Sequence, residues 1–486
     1  MRDQWAPEEI ARMGEQVVRW AADYYGGLEE RPITPAITPA ESDALFDEPL
    51  PRRGLGFDAA FAEVRDRVVP HALGIPHPRY FGLMNPTPVM PAVFTEVVVA
   101  ALNQNMAAWS HSPSGTAVEK RVVRWLCDLV GYPARAAGTF TSGGSVANLA
   151  ALRAAIAHRL PESLEGGLQA LGQQPVFYVS AEAHYSFKKA ATTLGLGTEG
   201  LRPAAVDQRS RIDVDALRAQ IRADRAAGRR PFALVATAGT TSAGAIDPIA
   251  PLADLAEAEG LWLHVDAAWG SGALVSARHR GLLAGVERAD SITFDPHKWF
   301  FLPIAAGAVL TRDPEALPRT FSADAVYIPT DDDDRTDFRR WGIVGSKRMD
   351  ALKLWVSLKA LGVEWYEEVI DRHMALTAWL VERLEEDADW EVVVPPDLNI
   401  LCFRYRPAGV AEDALGALQD RVVDAVVRDG RSWISTTVVG GVRAIRWMAL
   451  SPALTAEHVA GFWESMRELA AGVVERDRLA PDQLRN

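Results

Sequence analysis

Residues 290–301 read DSITFDPHKWFF, and they set a problem. Lys298 stands between a β-forming run, Ile292, Thr293 and Phe294, and three large apolar residues, Trp299, Phe300 and Phe301. Lysine is almost never fully buried without a partner, so one placed here needs a chemical reason. The run before it, SITFD, reads as a short buried strand, and it is one of several. VFYVS (176–180), FALVATAG (232–239), LWLHVDAAW (261–269) and GAVLT (307–311) have the same character. Helical stretches such as SVANLAALRAAIAHRL (145–160) and VDALRAQIRADRAAG (214–228) separate them. Strands alternating with helices predict βαβ units, a mainly parallel central sheet and helices on both faces. Ligands of such sheets sit at the carboxyl ends of the strands, and the unusual residues fall there.

Outside this region the pattern changes. Residues 7–25 read as an amphipathic helix, with Pro7 in the first turn and Ile10, Met13, Val17, Trp20 and Tyr24 at helical spacing. A loose linker rich in glycine and proline follows, so the apolar stripe needs cover from its own domain or from a partner subunit. After a long helix, SKRMDALKLWVSLKALG (346–362), comes a further helix around 365–386. Strand-like WEVVVPPDLNILCFRY (390–405) and AIRWMALSP (444–452) then flank another helix, and a helix closes the chain. The expected organisation is an α/β protein in three parts: a helical segment over 1–85, a large domain over 86–362 and a small α/β domain over 363–486.

At 486 residues the chain exceeds what one hydrophobic core usually serves. Its formal charge, 51 − 64 = −13, argues against a nucleic-acid partner and against adhesion to an acidic membrane. Cys127 and Cys402 lie far apart with no ligand cluster around them, so neither a disulfide framework nor a metal site is expected. The first twenty residues lack a basic region followed by an apolar core, and the longest apolar runs reach about a dozen residues, short of the ~18 that span a bilayer. A cytoplasmic location is the expectation.

Four strand ends carry polar groups. TFTSGGSVANLAAL (139–152) puts Gly143, Gly144 and Ser145 just before a helix, where backbone N–H groups can meet an anion. A tight turn with an N-cap serine would look the same. FALVATAGTTSAGAID (232–247) ends in a hydroxyl-rich turn, AEAHYS (181–186) offers His184, and LWLHVDAAWGSG (261–272) ends a strand on Asp266. A buried acid is costly unless it meets a cation or donor. Together with Lys298 these groups suit pyridoxal phosphate. The lysine forms a Schiff base with the aldehyde, the carboxylate holds the ring nitrogen protonated, the helix start takes the phosphate and the imidazole lies on the ring face.

At these residues the chain resembles the group II pyridoxal-phosphate-dependent amino-acid decarboxylases, which include aromatic-L-amino-acid, glutamate and cysteine-sulfinate decarboxylases. HVDAAWGSG is followed, 32 positions after Asp266, by the lysine of DPHKW. The likeness extends through HPRYFG, LNQNMAAWSHSP, TSGGSVANLAAL, AEAHYS, VATAGTTSAGAID, DFRRWGIVGSKRMDALKLW and IRWMALSP, nearly the whole chain. The resemblance implies fold type I and a homodimer with the N-terminal helices wrapped over the partner. It makes Lys298 the Schiff-base lysine, Asp266 the partner of the pyridine nitrogen and His184 the stacking group. Gly144, Ser145 and His297 would surround the phosphate, with Thr241 and Ala268 lining the cofactor. Tyr327 takes the place of a tyrosine on a mobile catalytic loop, here acidic (DDDD, 331–334). Arg446 falls where glutamate-type members hold the substrate α-carboxylate. Position 295, often asparagine, is Asp295; a negative side chain beside a phosphate is expected to offer only its backbone or to point away.

The reaction expected is decarboxylation of an L-amino acid to its amine. Retention of His184 and Tyr327 favours this over the aldehyde synthases, because the resemblance links oxidative variants to changes at those positions. LNQNMAAWSHSP resembles both substrate branches: Gln104 and Asn105 fit acidic-substrate members, whereas Ala107 would widen the pocket for an aromatic one. Trp109 and Phe81 could form an aromatic wall. An aromatic substrate is the reading taken, with Asn105, Trp109 and Arg446 as substrate-binding candidates. A nucleotide-binding module is disfavoured, because GIVGSK lacks the GxxxxGK[ST] pattern and Lys347 is expected at a helix start within the family's own motif. A serine hydrolase is disfavoured because GGSVA lacks the final glycine of G-x-S-x-G.

Overall fold

The computed structural model describes residues 5–322 and 335–483. Seven strands build the central sheet: β1 Ala137–Thr141, β2 Pro175–Ser180, β3 Leu201–Ala204, β4 Arg230–Thr237, β5 Trp262–Asp266, β6 Ser291–Phe294 and β7 Gly307–Thr311. Their spatial order is β1-β7-β6-β5-β4-β2-β3. Pairing is parallel from β3 through β2, β4 and β5 to β6. Only β7 runs the other way, antiparallel to both β6 and β1.

Alternation along β4 shows why the sheet is two-sided. Leu234 and Ala236 belong to one apolar cluster, with Val265, Ile292 and Leu310. Ala233 and Val235 join the opposite cluster, with Phe177, Val179 and the alanine-rich helix Gly144–Arg159. Successive side chains of a strand point to opposite faces, so a strand buried on both faces must be apolar throughout. Small residues on Gly144–Arg159 (Ala147, Ala150, Ala151, Ala154) let that helix lie close against the sheet.

Beyond it lies a four-stranded antiparallel sheet, β10-β11-β9-β8, made of β8 Trp390–Val394, β9 Ile400–Tyr405, β10 Ser435–Val439 and β11 Val442–Met448. It packs on the helices Leu415–Asp429 and Ala456–Gln483 through Phe403, Val422, Trp447 and Phe462. The helix Ala351–Glu386 runs between the two sheets and is interrupted at Gly362, whose φ of 78° only glycine adopts without strain. The expected helix starting at 346 begins five residues later, after Asp350. Lys347 is therefore not at a helix start. Its ammonium is buried against Glu119 and Thr139, and its backbone N–H donates to Asn105 Oδ1, contacts that hold the segment out of helical form.

The helix Pro7–Gly26 forms as its periodicity predicts, yet none of its residues is buried. Trp20 meets Phe61 edge-on, while Ile10, Val17 and Val18 stay exposed. Phe94, Val97, Val98 and Leu102 on the helix Met90–Leu102 are exposed as well. No described helix is long and apolar enough to cross a membrane.

Candidate active site

Five chain segments meet at the carboxyl edge of the large sheet. Lining residues from these ends include Gly144 and Ser145 after β1, His184 after β2, Thr237 and Thr241 around the end of β4, Asp266 and Ala268 at the end of β5, and His297 and Lys298 after β6. They surround a cavity of about 260 Å³. The structure thus brings together Lys298, Asp266, His184, Gly144, Ser145, Thr241, Ala268 and His297.

Lys298 sits on a tight turn, its N–H donating to Asp295 O and its carbonyl accepting from Phe301 N–H. Large side chains anchor the turn from behind. Trp299 stacks on Trp269 at 5.6 Å and donates its indole N–H to His373 Nδ1. Phe301 holds φ +56°, rare for a bulky residue, and packs on Trp365, Tyr366 and His373. Strain of this kind persists only where packing over-determines it. The apolar neighbours therefore fix the turn, and the amine projects into the cavity.

Asp266 is almost fully buried, and both its oxygens are held: Ala268 N–H donates to Oδ1 at 3.1 Å and Asn148 Nδ2 to Oδ2 at 2.9 Å. His184 accepts from Ser186 N–H on Nδ1 at 3.2 Å, and burial, with Lys298 nearby, pulls its pKa below the usual histidine range. It is thus a neutral ring at pH 7. The helix Gly144–Arg159 begins with no side-chain cap, so its first N–H groups are open to an anion.

Asp295 departs from expectation. Its side chain points inward, 3.4 Å from Lys298 Nζ and 3.8 Å from His297 Nε2. A Cβ on Gly144 would lie 2.7 Å from Asp295 Oδ2, so a side chain at position 144 would have to displace that carboxylate. Asp295 and Thr237 line the cavity, and Asp295 Oδ1 and Thr237 Oγ1 are buried without a hydrogen-bond partner. Unpaired buried polar atoms are rare, and both residues border the space a cofactor would fill. The residues fit pyridoxal phosphate: an amine, a carboxylate opposite, a neutral ring and an open helix start.

Three candidates do not line this cavity. Asn105 is used locally, Oδ1 accepting from Ala107 and Lys347 N–H. Trp109 lies beside Lys120, Arg121 and Arg124 in another groove, with the Arg335 guanidinium over its ring. Arg446 is buried, donating to Gly82 O and Met448 Sδ, with Nε unpartnered. Phe81 belongs to the core, packed on Trp447 and Phe462. Tyr327 and the acidic run 331–334 lie outside the described residues. Sequence reasoning missed Asn148 and Thr237. Asn148 stands three and four residues beyond Ser145 and Gly144, on the same helix face, and Thr237 closes β4 directly beside Asp266. Among the described residues, no group of three or more His, Cys, Asp or Glu is placed to hold a metal.

An amine and a carboxylate lining one cavity at the carboxyl edge of a mostly parallel sheet define a class: enzymes that hold a cofactor between the two. The family model for the pyridoxal-dependent decarboxylase conserved domain matches residues 39–406, and the chain belongs to that family. It is 32% identical over 477 residues to an aromatic-L-amino-acid decarboxylase of Bacillus atrophaeus, covering 97% of both chains. It is 35% identical over 427 residues to an L-2,4-diaminobutyrate decarboxylase of Rhizobium meliloti, covering 87% of this chain and 84% of that one. The solved structure of Oryza sativa TDC with PLP and tryptamine superposes with a TM-score of 0.92 at 26% identity, over 97% of this chain and all of that one. The protein is a pyridoxal-phosphate-dependent amino-acid decarboxylase.

Proposed function

We propose that the substrate is an aromatic L-amino acid, released as its amine. The observation that carries this reading is the charge of the cavity lining. It holds two carboxylates, Asp266 and Asp295, while its cations are Lys298, engaged by the cofactor, and His297 when protonated. A substrate bearing a side-chain carboxylate would lack a counter-charge there, at the cost of burying an unpaired anion. The full-length likeness to an aromatic-L-amino-acid decarboxylase supports the same reading. A second reading, a diamino acid, is favoured by the second carboxylate in the lining, Asp295, and by the diaminobutyrate relative.

In this proposal Lys298 would hold the aldehyde carbon, Asp266 would pair with the ring nitrogen, and His184 would stack on the ring. The helix start at Gly144 and Ser145, with His297, takes the phosphate, and Thr241 and Ala268 flank the ring. Bound pyridoxal phosphate supplies the electron sink for the pair left by departing CO₂. Arg446, buried and outside the cavity lining, is assigned the substrate α-carboxylate on the resemblance alone. Tyr327 is assigned the proton delivered to the former α-carbon, on the resemblance alone. Asn105 and Trp109 are assigned to the substrate through a second subunit. A cytoplasmic homodimer suits the bare apolar stripes of Pro7–Gly26 and Met90–Leu102. The test is kcat/KM, with amine, aldehyde and CO₂ measured separately, for tryptophan, tyrosine, phenylalanine, 2,4-diaminobutyrate, glutamate and cysteine sulfinate. Preference for an acidic substrate sinks the proposal, preference for the diamino acid establishes the second reading, and aldehyde as main product makes the enzyme a synthase. Tyr327→Phe is expected to slow amine release by about 10²- to 10⁴-fold.

A further inference from the structure

Behind Asp266 lies a buried chain of polar side chains that the assigned roles do not use. Asn148, on the helix Gly144–Arg159, donates from Nδ2 to Asp266 Oδ2 at 2.9 Å and to Ser186 Oγ at 3.2 Å. Its Oδ1 receives Thr293 Oγ1 at 2.6 Å and meets His264 Nε2 at 3.0 Å. His264 Nδ1 lies 2.9 Å from Ser291 Oγ, which accepts the indole N–H of Trp262 at 2.8 Å. Trp262, His264 and Ser291 are each 1% exposed or less, and so is Asn148.

The direction of this chain follows from its ends. Trp262 Nε1 can only donate, so it donates to Ser291 Oγ. Asp266 as a carboxylate can only accept, so the Asn148 amide turns its NH₂ toward it and its oxygen toward His264. His264 must then donate from Nε2, which leaves Nδ1 to accept the Ser291 hydroxyl proton. Along this line the donors run one way, from Trp262 to Ser291 to His264 to Asn148 to the carboxylate, while the second Asn148 amide proton goes to Ser186. One histidine tautomer satisfies it, and burial keeps the ring neutral, its pKa pulled down to about 4. Asn148 uses both amide protons and receives two donors.

We propose that Asn148 and His264 are positioning residues that set where the proton between Asp266 and the cofactor's ring nitrogen resides. Donors aligned on a carboxylate stabilise its ionised form. An ionised Asp266 leaves the proton on the ring nitrogen, which is the state that makes the ring a strong electron sink. Removing the Asn148 donor makes the carboxylate more basic, and the proton moves toward Asp266. The inference rests on the reading of Asp266 as the partner of that nitrogen.

The test reconstitutes the enzyme with pyridoxal phosphate carrying ¹⁵N in the ring and reads the ¹⁵N chemical shift together with cofactor affinity. Asn148→Leu should move the shift toward that of unprotonated pyridine and weaken affinity by about ten- to a hundredfold, the scale of one hydrogen bond to a charged group. Asn148→Ser, which leaves room for water, should fall between Leu and wild type and serves if the leucine variant does not fold. His264→Gln keeps a donor near the Nε2 position and should restore the wild-type shift; His264→Leu should not. Wild-type shifts in both Asn148 variants, or equal shifts in His264→Gln and His264→Leu, overturn the relay. Asp266→Asn separates the two levels. If it too leaves the ring nitrogen unchanged, the role of Asp266 fails; if it alone moves the shift, only the relay fails.

Discussion

Lys298 and Lys353 are both lysines withdrawn from water, and their surroundings differ in kind. The Lys353 side chain is wholly buried, and its ammonium meets Glu96 at 2.8 Å, Asp350 at 3.1 Å and the carbonyls of Ala305 and Pro303 at 3.1 and 3.3 Å. Three N–H donors face four acceptors. The Lys298 side chain keeps 20% of its exposure and has one charged neighbour among the described residues, Asp295 at 3.4 Å. A cation whose every donor is engaged is structural, because deprotonating or moving it strands buried partners. An amine with donors to spare, facing a cavity, can lose a proton and react. The contrast separates the lysine proposed to do chemistry from the one that holds the Pro303–Ala305 loop to the helix Ala351–Glu386.

The largest expected effect tests the first half of that contrast. Lys298→Ala should reduce amine production to background and remove the absorbance of covalently bound cofactor. Its cofactor-free form should melt within about 4 °C of wild type, since little packing is lost. Turnover by this variant would erase the distinction. Asp266→Ala comes next. Losing one preorganised electrostatic contact at a reacting centre costs about 10²- to 10³-fold in rate, and cofactor affinity should fall with it, as an equilibrium titration would show.

Lys353→Met tests the other half, with the readouts reversed. Removing one partner of a buried ion pair should cost about 4 kcal/mol of stability in denaturant melts, while folded protein still takes up cofactor with the wild-type spectrum. A spectrum lost at unchanged stability would put Lys353 in the site. The smallest effect concerns His373, which supports Trp299 from behind and donates from Nε2 to Ser451 O. Burial pulls its pKa from 6.5 down to about 4. The folded value lies below the unfolded one, so the unfolded chain binds more protons between them. Stability from this group is present above pH 6.5 and is lost as pH falls toward 4, by about 3 kcal/mol. His373→Gln should flatten the melting temperature over that window; an unchanged slope would show that other groups carry it.

Much of this was legible in the sequence because the signals are local. Strands apolar on both faces, alternating with helices, require a parallel sheet, and polar residues at strand ends mark its carboxyl edge, so Lys298, Asp266, His184 and Gly144 could be named from their own surroundings. β10 escaped notice because STTVV is only partly buried and takes its strand form from pairing with β11. The helix start near 346 was misread because Lys347 answers to Glu119, which lies 228 residues away in sequence.

By itself, then, the sequence determined the fold class, the cofactor and a set of residues that the fold gathers around one cavity, since each depends on residue type and short-range spacing. Tertiary structure alone decided which polar groups meet. It turned Asp295 toward Lys298, set Asn148 between Asp266 and His264, and kept Asn105 and Trp109 out of the cavity lining. Hydrogen bonds and ion pairs act over about 3 Å, and partners so close in space are separated by any length of chain, so only the folded arrangement brings them together.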